Sequence, residues 1–257
     1  NSPHAMAKVR GYLERVQADL LAREASSPEV QHLTDALYGR NRPQPPEGYV
    51  EELFDDYAER FESHLLEKLH YQVPRLITSV IENRFSSTQK ASSIWDLGCG
   101  TGLLGVAIAD YTKTLIGVDL SQKMLDRAKD KGCYQQLIKA DLLSFLHSQE
   151  CSIYSSPDVV VIADTLVYIG DLEPFFTALH PHLSASSDVI FTIEQCDGDI
   201  LEGFQLMPTG RYTHDIGHLK RMFDEIGLSL YKSGEVDLRQ GGGVWVKGWL
   251  CMASKSS

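Results

Sequence analysis

The chain has 257 residues, with 35 acidic against 24 basic side chains and a formal net charge of -11, which argues against nucleic acid as the principal partner because phosphate binding relies on basic surface. No apolar run approaches the roughly 18 residues needed to span a bilayer. The five cysteines, Cys99, Cys133, Cys151, Cys196 and Cys251, are odd in number and form no Cys-x-x-Cys pair, so a reducing cytoplasm suits them better than a disulfide framework, and no metal site is expected.

This length accommodates one α/β domain of ordinary size and a small appendage. Residues 1–6 open without an initiator methionine, and Asn1-Ser2-Pro3-His4-Ala5 reads as an expression remnant ahead of a native start at Met6. Over residues 7–23, Val9, Leu13, Val16 and Leu20 recur at helical spacing, and residues 29–38 repeat the pattern after Ser27-Pro28. Together they predict a helical hairpin, a packing extension to the domain. A linker rich in proline (Pro43, Pro45, Pro46) completes the segment 7–48.

The main domain then runs over residues 49–257. From 49 to 70, Val50, Leu53, Phe54, Tyr57, Phe61, Leu65 and Leu69 form one apolar stripe opposite Glu51, Glu52, Asp55, Asp56 and Glu59, which predicts a single amphipathic helix. Pro74 starts a second helix to about residue 85. The segment 49–85 is placed to cover a ligand crevice, and Tyr57 and Phe61 are its candidate contacts.

Next comes Ile94-Trp95-Asp96-Leu97-Gly98-Cys99-Gly100-Thr101-Gly102, an apolar strand, a carboxylate and alternating glycines, followed by an apolar helix from Leu103. Further strands are predicted at 114–119, 136–141, 158–164 and 189–194, with helices after the cap Ser121 and over 172–182. The last third holds a helix at 218–227 and two strands, 228–231 and 244–253, joined at Gly241-Gly242-Gly243 and therefore antiparallel. Strand alternating with helix implies right-handed crossovers. The expected fold is a doubly wound, Rossmann-like sheet of seven strands with an antiparallel C-terminal strand and a helical N-terminal extension.

The glycines permit positive φ, and the turn directs free N–H groups into a crevice, as at the first βα turn of a nucleotide-binding sheet. Gly100-x-Gly102-x-x-Gly105, with Asp119 downstream, also fits a dinucleotide fingerprint. Asp96 discriminates: a carboxylate beside the turn repels a pyrophosphate and attracts a cationic ligand such as S-adenosylmethionine, which has a sulfonium and an ammonium and no phosphate. Asp96, Asp119, Asp141 and Asp164 each end a predicted strand on its carboxyl side, the edge where such sheets bind ligands.

On this reading Asp96 favours the methionine end, Asp119 accepts from the ribose hydroxyls and Asp141 from the adenine amine. Leu120, Met124 and Leu142 face the ring, and Asp164 and Tyr168 stand where donor meets acceptor. In a loop expected to reach the cleft, His214 is the candidate base, and Arg211 and Tyr212 are candidate substrate contacts, Arg211 toward an anionic group.

The run Asp96-Leu97-Gly98-Cys99-Gly100-Thr101-Gly102 resembles the first motif of class I S-adenosylmethionine-dependent methyltransferases. Asp119, Asp141 and Ala163-Asp164 match the later motifs, over residues 93–253. The resemblance implies S-adenosyl-L-methionine as cofactor, S-adenosyl-L-homocysteine as product, and Cys99 and Ala163 among the cofactor contacts. Leu53-Phe54-Asp55-Asp56-Tyr57-Ala58-Glu59-Arg60-Phe61 and Gly210-Arg211-Tyr212-Thr213-His214 look like predicted bacterial methyltransferases that carry N-terminal tetratricopeptide repeats. The hairpin over 7–38 then resembles a remnant of one repeat. Transfer to an O or N nucleophile of a small molecule is expected, from a monomer or weak homodimer; a protein side chain as acceptor, a nicotinamide-dependent oxidoreductase and a non-catalytic cofactor-binding module are the alternatives.

Overall fold

The computed structural model describes residues 27–196 and 200–256. The helix expected over 7–23, and with it the hairpin as a unit, lies outside the described residues. Helix α1 (Pro28–Tyr38) begins after Ser27, whose Oγ accepts the Val30 N–H at 3.3 Å, and stops at Gly39. Helix α2 (Tyr49–Tyr57) ends well short of the predicted residue 70: the chain turns at 58–60, then continues as a short turn at Phe61–Ser63 and a π-helical turn at His64–Lys68. Apolar periodicity survives this break, because Phe54, Tyr57, Phe61 and Leu65 all face one cavity. No Gly or Pro announces the turn, so the pattern alone predicts a continuous helix. Helix α3 (Val73–Glu82) follows, with Pro74 in its first turn.

The alternating core is β1 (Ile94–Leu97), α4 (Leu103–Ile108), β2 (Leu115–Asp119), α5 (Gln122–Asp130), β3 (Gln136–Lys139), α6 (Leu142–His147), β4 (Val159–Ile162), α7 (Glu173–Leu179) and β5 (Asp188–Gln195). Ser121 caps α5, its Oγ accepting the Met124 N–H at 3.1 Å, and Asp141 caps α6 through Ser144 N–H at 2.9 Å. Strands β1 to β5 are parallel in the order β3-β2-β1-β4-β5. After β6 (Phe204–Leu206), β7 (Tyr212–His214) and α8 (Ile216–Ile226), the chain closes with β8 (Leu228–Gly241) and β9 (Val244–Lys255). β9 runs antiparallel along β5 and β8 along β9, which completes the expected seven strands.

Among the described residues the sheet has nine strands, the other two being the antiparallel β6–β7 ribbon. Glu194 of β5 pairs with Gly248 of β9 and with Thr213 of β7. β9 takes one edge of β5, so β7 takes the edge that β4 leaves free beyond Ile162. Tyr212 to His214 is therefore a strand, where the sequence reading places a loop.

Both faces of the sheet are covered, so the residues of the central strand β4 are all apolar, and consecutive residues diverge to opposite cores. Trp95, Val160 and Ile162 join Phe145, Phe176 and Phe223 on one side; Ile94, Val159 and Val161 join Ile77, Ile81 and Leu104 on the other. Among the described residues no helix is long and apolar enough to cross a membrane.

Candidate active site

Strand β1 has β2 on one side and β4 on the other, and the chain leaves it first one way and then the other. At such a switch point the loops diverge and open a crevice at the carboxyl ends of the strands. A cavity of about 460 Å³ lies there, within the range of small-molecule sites. Its floor is the glycine turn. Gly98 has φ +78°, and a Cβ on it would collide with the Thr165 side chain from the loop after β4, so only glycine closes this corner.

Asp119 ends β2 and faces the cavity. Its Oδ2 accepts the Gly100 N–H at 2.8 Å and its Oδ1 the Ser121 N–H at 2.9 Å. The two oxygens carry further lone pairs for ligand hydroxyls. Burial raises its pKa against these opposing hydrogen bonds. Beside it, Asp55 of α2 accepts from Ser121 Oγ at 2.5 Å, and Glu51 pairs with Lys139 at 2.7 Å; these contacts fasten α2 over the β2 and β3 ends. Leu120, Asp141, Leu142 and Leu143 continue the lining, with Ala163, Asp164 and Tyr168 beyond β4. The Asp141 Oδ1 is used as the cap of α6.

Three of the expected cofactor contacts stand elsewhere. Asp96 is fully buried and absent from the cavity wall. Alternation along β1 sends it to the side of Ile94, away from Trp95, where the Tyr134 hydroxyl donates to its Oδ2 at 2.7 Å. Burial pushes its carboxyl up to about 7, and its Oδ1 has no hydrogen-bond partner among the described residues. A ligand therefore meets Asp119, and Asp96 does not stand where it would repel a pyrophosphate. Met124 is likewise fully buried in the core with α5, and the Cys99 thiol, 7% exposed, points toward its own neighbour, Gly100 O, at 3.9 Å.

Tyr134 also explains the third glycine of the apparent dinucleotide fingerprint. Its ring lies where Cβ atoms on Gly105 and Gly117 would stand. Gly105 thus makes room for a tyrosine between strand and helix.

Over the floor stands an aromatic roof. Phe61 lies above Gly100, its ring 3.8 Å from where a Cβ would be, and makes edge contacts with Tyr57 and Phe54 at centroid distances of 5.3 and 6.1 Å. Phe54 in turn meets Tyr168 edge-on at 5.1 Å. The Tyr57 hydroxyl is hydrogen-bonded to Nδ1 of the exposed His64. Gln44 and Pro45 of the linker close one side, held there because Pro43 O accepts the Gly170 and Asp171 N–H groups at 3.1 and 2.9 Å.

Beyond β4 the charges belong to side chains from distant parts of the chain. Asp164 has φ +56°, an unusual conformation for a non-glycine residue. Arg239 of β8, 1% exposed, holds it there, Nη1 donating to its Oδ1 and Oδ2 at 2.6 and 2.7 Å while Nη2 donates to Glu194. Arg211 lies against Tyr168, its Nε donating to the phenol oxygen at 3.3 Å and its guanidinium 6.0 Å from the ring centroid. No local pattern in the sequence marks Arg239, Glu194 or Thr165 as part of this site, since each reaches it only through the fold.

His214 does not reach the cleft. It is 3% exposed on β7, and its Nε2–H donates to Ile169 O and Gly170 O at 2.9 and 3.1 Å. Burial lowers its pKa to about 4, so it serves as a structural donor and supplies no base. Tyr212 is fully buried with Ala36, Phe204 and Leu206 and touches no substrate space. Strand alternation accounts for both: the ribbon leaves Arg211 at the cavity and packs its next residues inward.

Residues 95–188 match the family model of a methyltransferase domain. The chain is 28% identical over 106 residues to a bifunctional biotin-biosynthesis protein of Saccharophagus degradans, covering 40% of this chain and 18% of that protein. It is 42% identical over 50 residues to a ubiquinone-biosynthesis O-methyltransferase of Coxiella burnetii, 20% of this chain and 21% of that one. The chain thus spans less than half the length of these relatives. Among solved structures it resembles an S-adenosylmethionine-dependent methyltransferase from Clostridium acetobutylicum, with a TM-score of 0.55 at 17% identity over 80% of this chain and 100% of that one. It also resembles magnesium protoporphyrin IX methyltransferase from Synechocystis with bound S-adenosylmethionine, with a TM-score of 0.53 at 17% identity over 73% of this chain and 80% of that one. The fold is the Rossmann-like fold of these methyltransferases.

Proposed function

We propose that the protein is an S-adenosylmethionine-dependent methyltransferase acting on an oxygen or nitrogen of a small molecule inside the covered cavity. The observation that carries this reading is the distribution of charge around the lining. Asp119 and Asp141 offer acceptors to hydroxyl and amine donors at the β2 and β3 ends, with Leu120 and Leu142 beside them for an apolar ring. The one cation among the described lining residues, Arg211, stands beyond β4, so the floor holds no side-chain partner for a pyrophosphate. Such a set of acceptors fits an adenosine carrying a sulfonium tail.

Asp119 would hold the ribose, Asp141 and the adjoining leucines the adenine, and the glycine turn the methionine end. Bound there, the cofactor supplies a methyl group already activated on positive sulfur. The chain's own task is to exclude water and align an acceptor, which can account for most of such an acceleration. Phe54, Tyr57 and Phe61 exclude water from above. Asp164 is paired with Arg239 and His214 faces away; the Tyr57–His64 pair would offer the proton of an acceptor a route toward solvent.

Calorimetry with S-adenosylhomocysteine and with NAD tests the reading. Binding of the first alone is the expected result, and binding of NAD alone overturns it. Asp119→Ala should weaken S-adenosylhomocysteine at least tenfold, a change that needs only about 1.4 kcal/mol. Cofactor binding without methyl transfer to any fraction of a metabolite extract would point to a binding module instead.

A further inference from the structure

Arg211 differs from Arg239, the buried arginine of the site. Arg239 is saturated by Asp164 and Glu194. Arg211 forms no ion pair among the described residues; the one side-chain hydrogen bond it makes there is from Nε to the Tyr168 hydroxyl. A guanidinium has five N–H donors in a planar fork; one of them is used here, and Arg211 lines the cavity.

The surrounding structure is built to keep it there. The β6–β7 ribbon, additional to the seven-stranded sheet, turns at Met207 to Gly210, with Met207 N–H bonded to Arg211 O at 2.8 Å. Helix α1 secures that turn from outside: His32, 1% exposed, donates from Nε2 to Gly210 O at 2.8 Å. His32 stacks at 4.2 Å on Tyr49, the first residue of α2. The N-terminal segment and the ribbon therefore share one outcome, a fixed guanidinium at the cavity.

Position along the sheet edge says what it meets. In the order β3-β2-β1-β4-β5-β7, Asp141 and Asp119 lie at one end, the glycine turn in the middle and Arg211 at the other. With the nucleoside at the first and the methyl donor over the turn, Arg211 lies in the acceptor's compartment. Its walls there are Phe54, Tyr168, Ile169 and Phe175. We propose that Arg211 binds a carboxylate of the methyl acceptor, so that the substrate class is a small aromatic or otherwise apolar monocarboxylate. The fork matches a carboxylate in a bidentate pair. A single unpaired cation, with Asp164 and Glu194 close behind, suits one negative charge better than the two of a phosphate monoester.

This inference rests on the methyltransferase reading for the acceptor's place, and the experiment separates the two. Saturation with S-adenosylhomocysteine is established first by calorimetry; its failure sinks the methyltransferase reading itself. The saturated protein is then titrated with a panel of hydroxybenzoate, phenylpropanoate and medium-chain alkanoate probes and their matched amides. At least one carboxylate should bind tenfold or more tighter than its amide. Arg211→Met should abolish that preference with S-adenosylhomocysteine affinity changed less than twofold, and Arg211→Lys should retain part of it. Equal binding of acids and amides, or binding of none, overturns the proposal, as does loss of S-adenosylhomocysteine affinity in a folded Arg211→Met protein, which would give the arginine to the cofactor.

Discussion

The two ends of the cleft fix their charges by different means. At the β2 end the main chain holds Asp119, through the N–H groups of Gly100 and Ser121, residues within the same supersecondary unit. Beyond β4, side chains hold one another across long stretches of sequence: Arg239 of the C-terminal hairpin on Asp164, the Tyr168 hydroxyl on Arg211, the ring of Phe54 on Tyr168. A carboxylate held by backbone stays in place when neighbouring side chains change. One held by a buried partner depends on that partner, so the acceptor end can be altered, or broken, from far away.

The contrast is broken most severely at Arg239. Arg239→Met leaves Asp164 and Glu194 facing each other in a nearly dry site, and losing one partner of a buried ion cluster costs about 3–5 kcal/mol. Urea unfolding should show a loss of that size, and adding Glu194→Gln should recover part of it; full stability in the single variant would mean that the cluster carries no net charge coupling. On the backbone side, Gly98→Ala combines a left-handed φ with the collision against Thr165, for about 3 kcal/mol of strain and overpacking. Pairing it with Thr165→Ala should relieve only the collision, which thermal melts of the two variants would separate.

A smaller effect concerns pH. The folded Asp96 carboxyl titrates near 7 against the usual 3.8, so the native state keeps a proton that the unfolded chain has released, and stability falls as pH rises across that window. Asp96→Asn removes this contribution. Its stability relative to the parent should therefore rise between about pH 4.5 and pH 7.5, with a slope no steeper than about 1.4 kcal/mol per pH unit, and parallel urea series at the two pH values check the sign. Smallest of all should be the effect of His214→Gln on ligand affinity, within about twofold by calorimetry, because the ring faces the carbonyls of Ile169 and Gly170; a larger loss in a folded variant would return His214 to the site.

What could be read from the sequence follows the same division. The glycine turn, the cap Ser121, the apolar strands β1 and β4 and the C-terminal hairpin announce themselves through local chemistry, and they set the floor of the cleft. The neighbours of Asp96 in sequence assign it to the ligand, but pleat alternation turns it toward Tyr134. The ribbon strands are three residues each, too short for periodicity to register, so the sequence sends Arg211, Tyr212 and His214 to the cleft together, and of the three Arg211 lines it. Arg239 lies in a stretch with no signal at all. Its role exists only because β8 runs beside β9, and β9 beside β5.

Tyr134, finally, binds three separate places into one unit of change. Its ring fills the hollows left by Gly105 and Gly117, and its hydroxyl secures Asp96. A methyl group at either glycine would evict the ring and leave a buried carboxyl without its donor; a smaller residue at 134 would leave a void beneath the cofactor floor. Drift at these positions must therefore be concerted, and a glycine spacing that copies the signature of another cofactor persists here as the mould of a phenol.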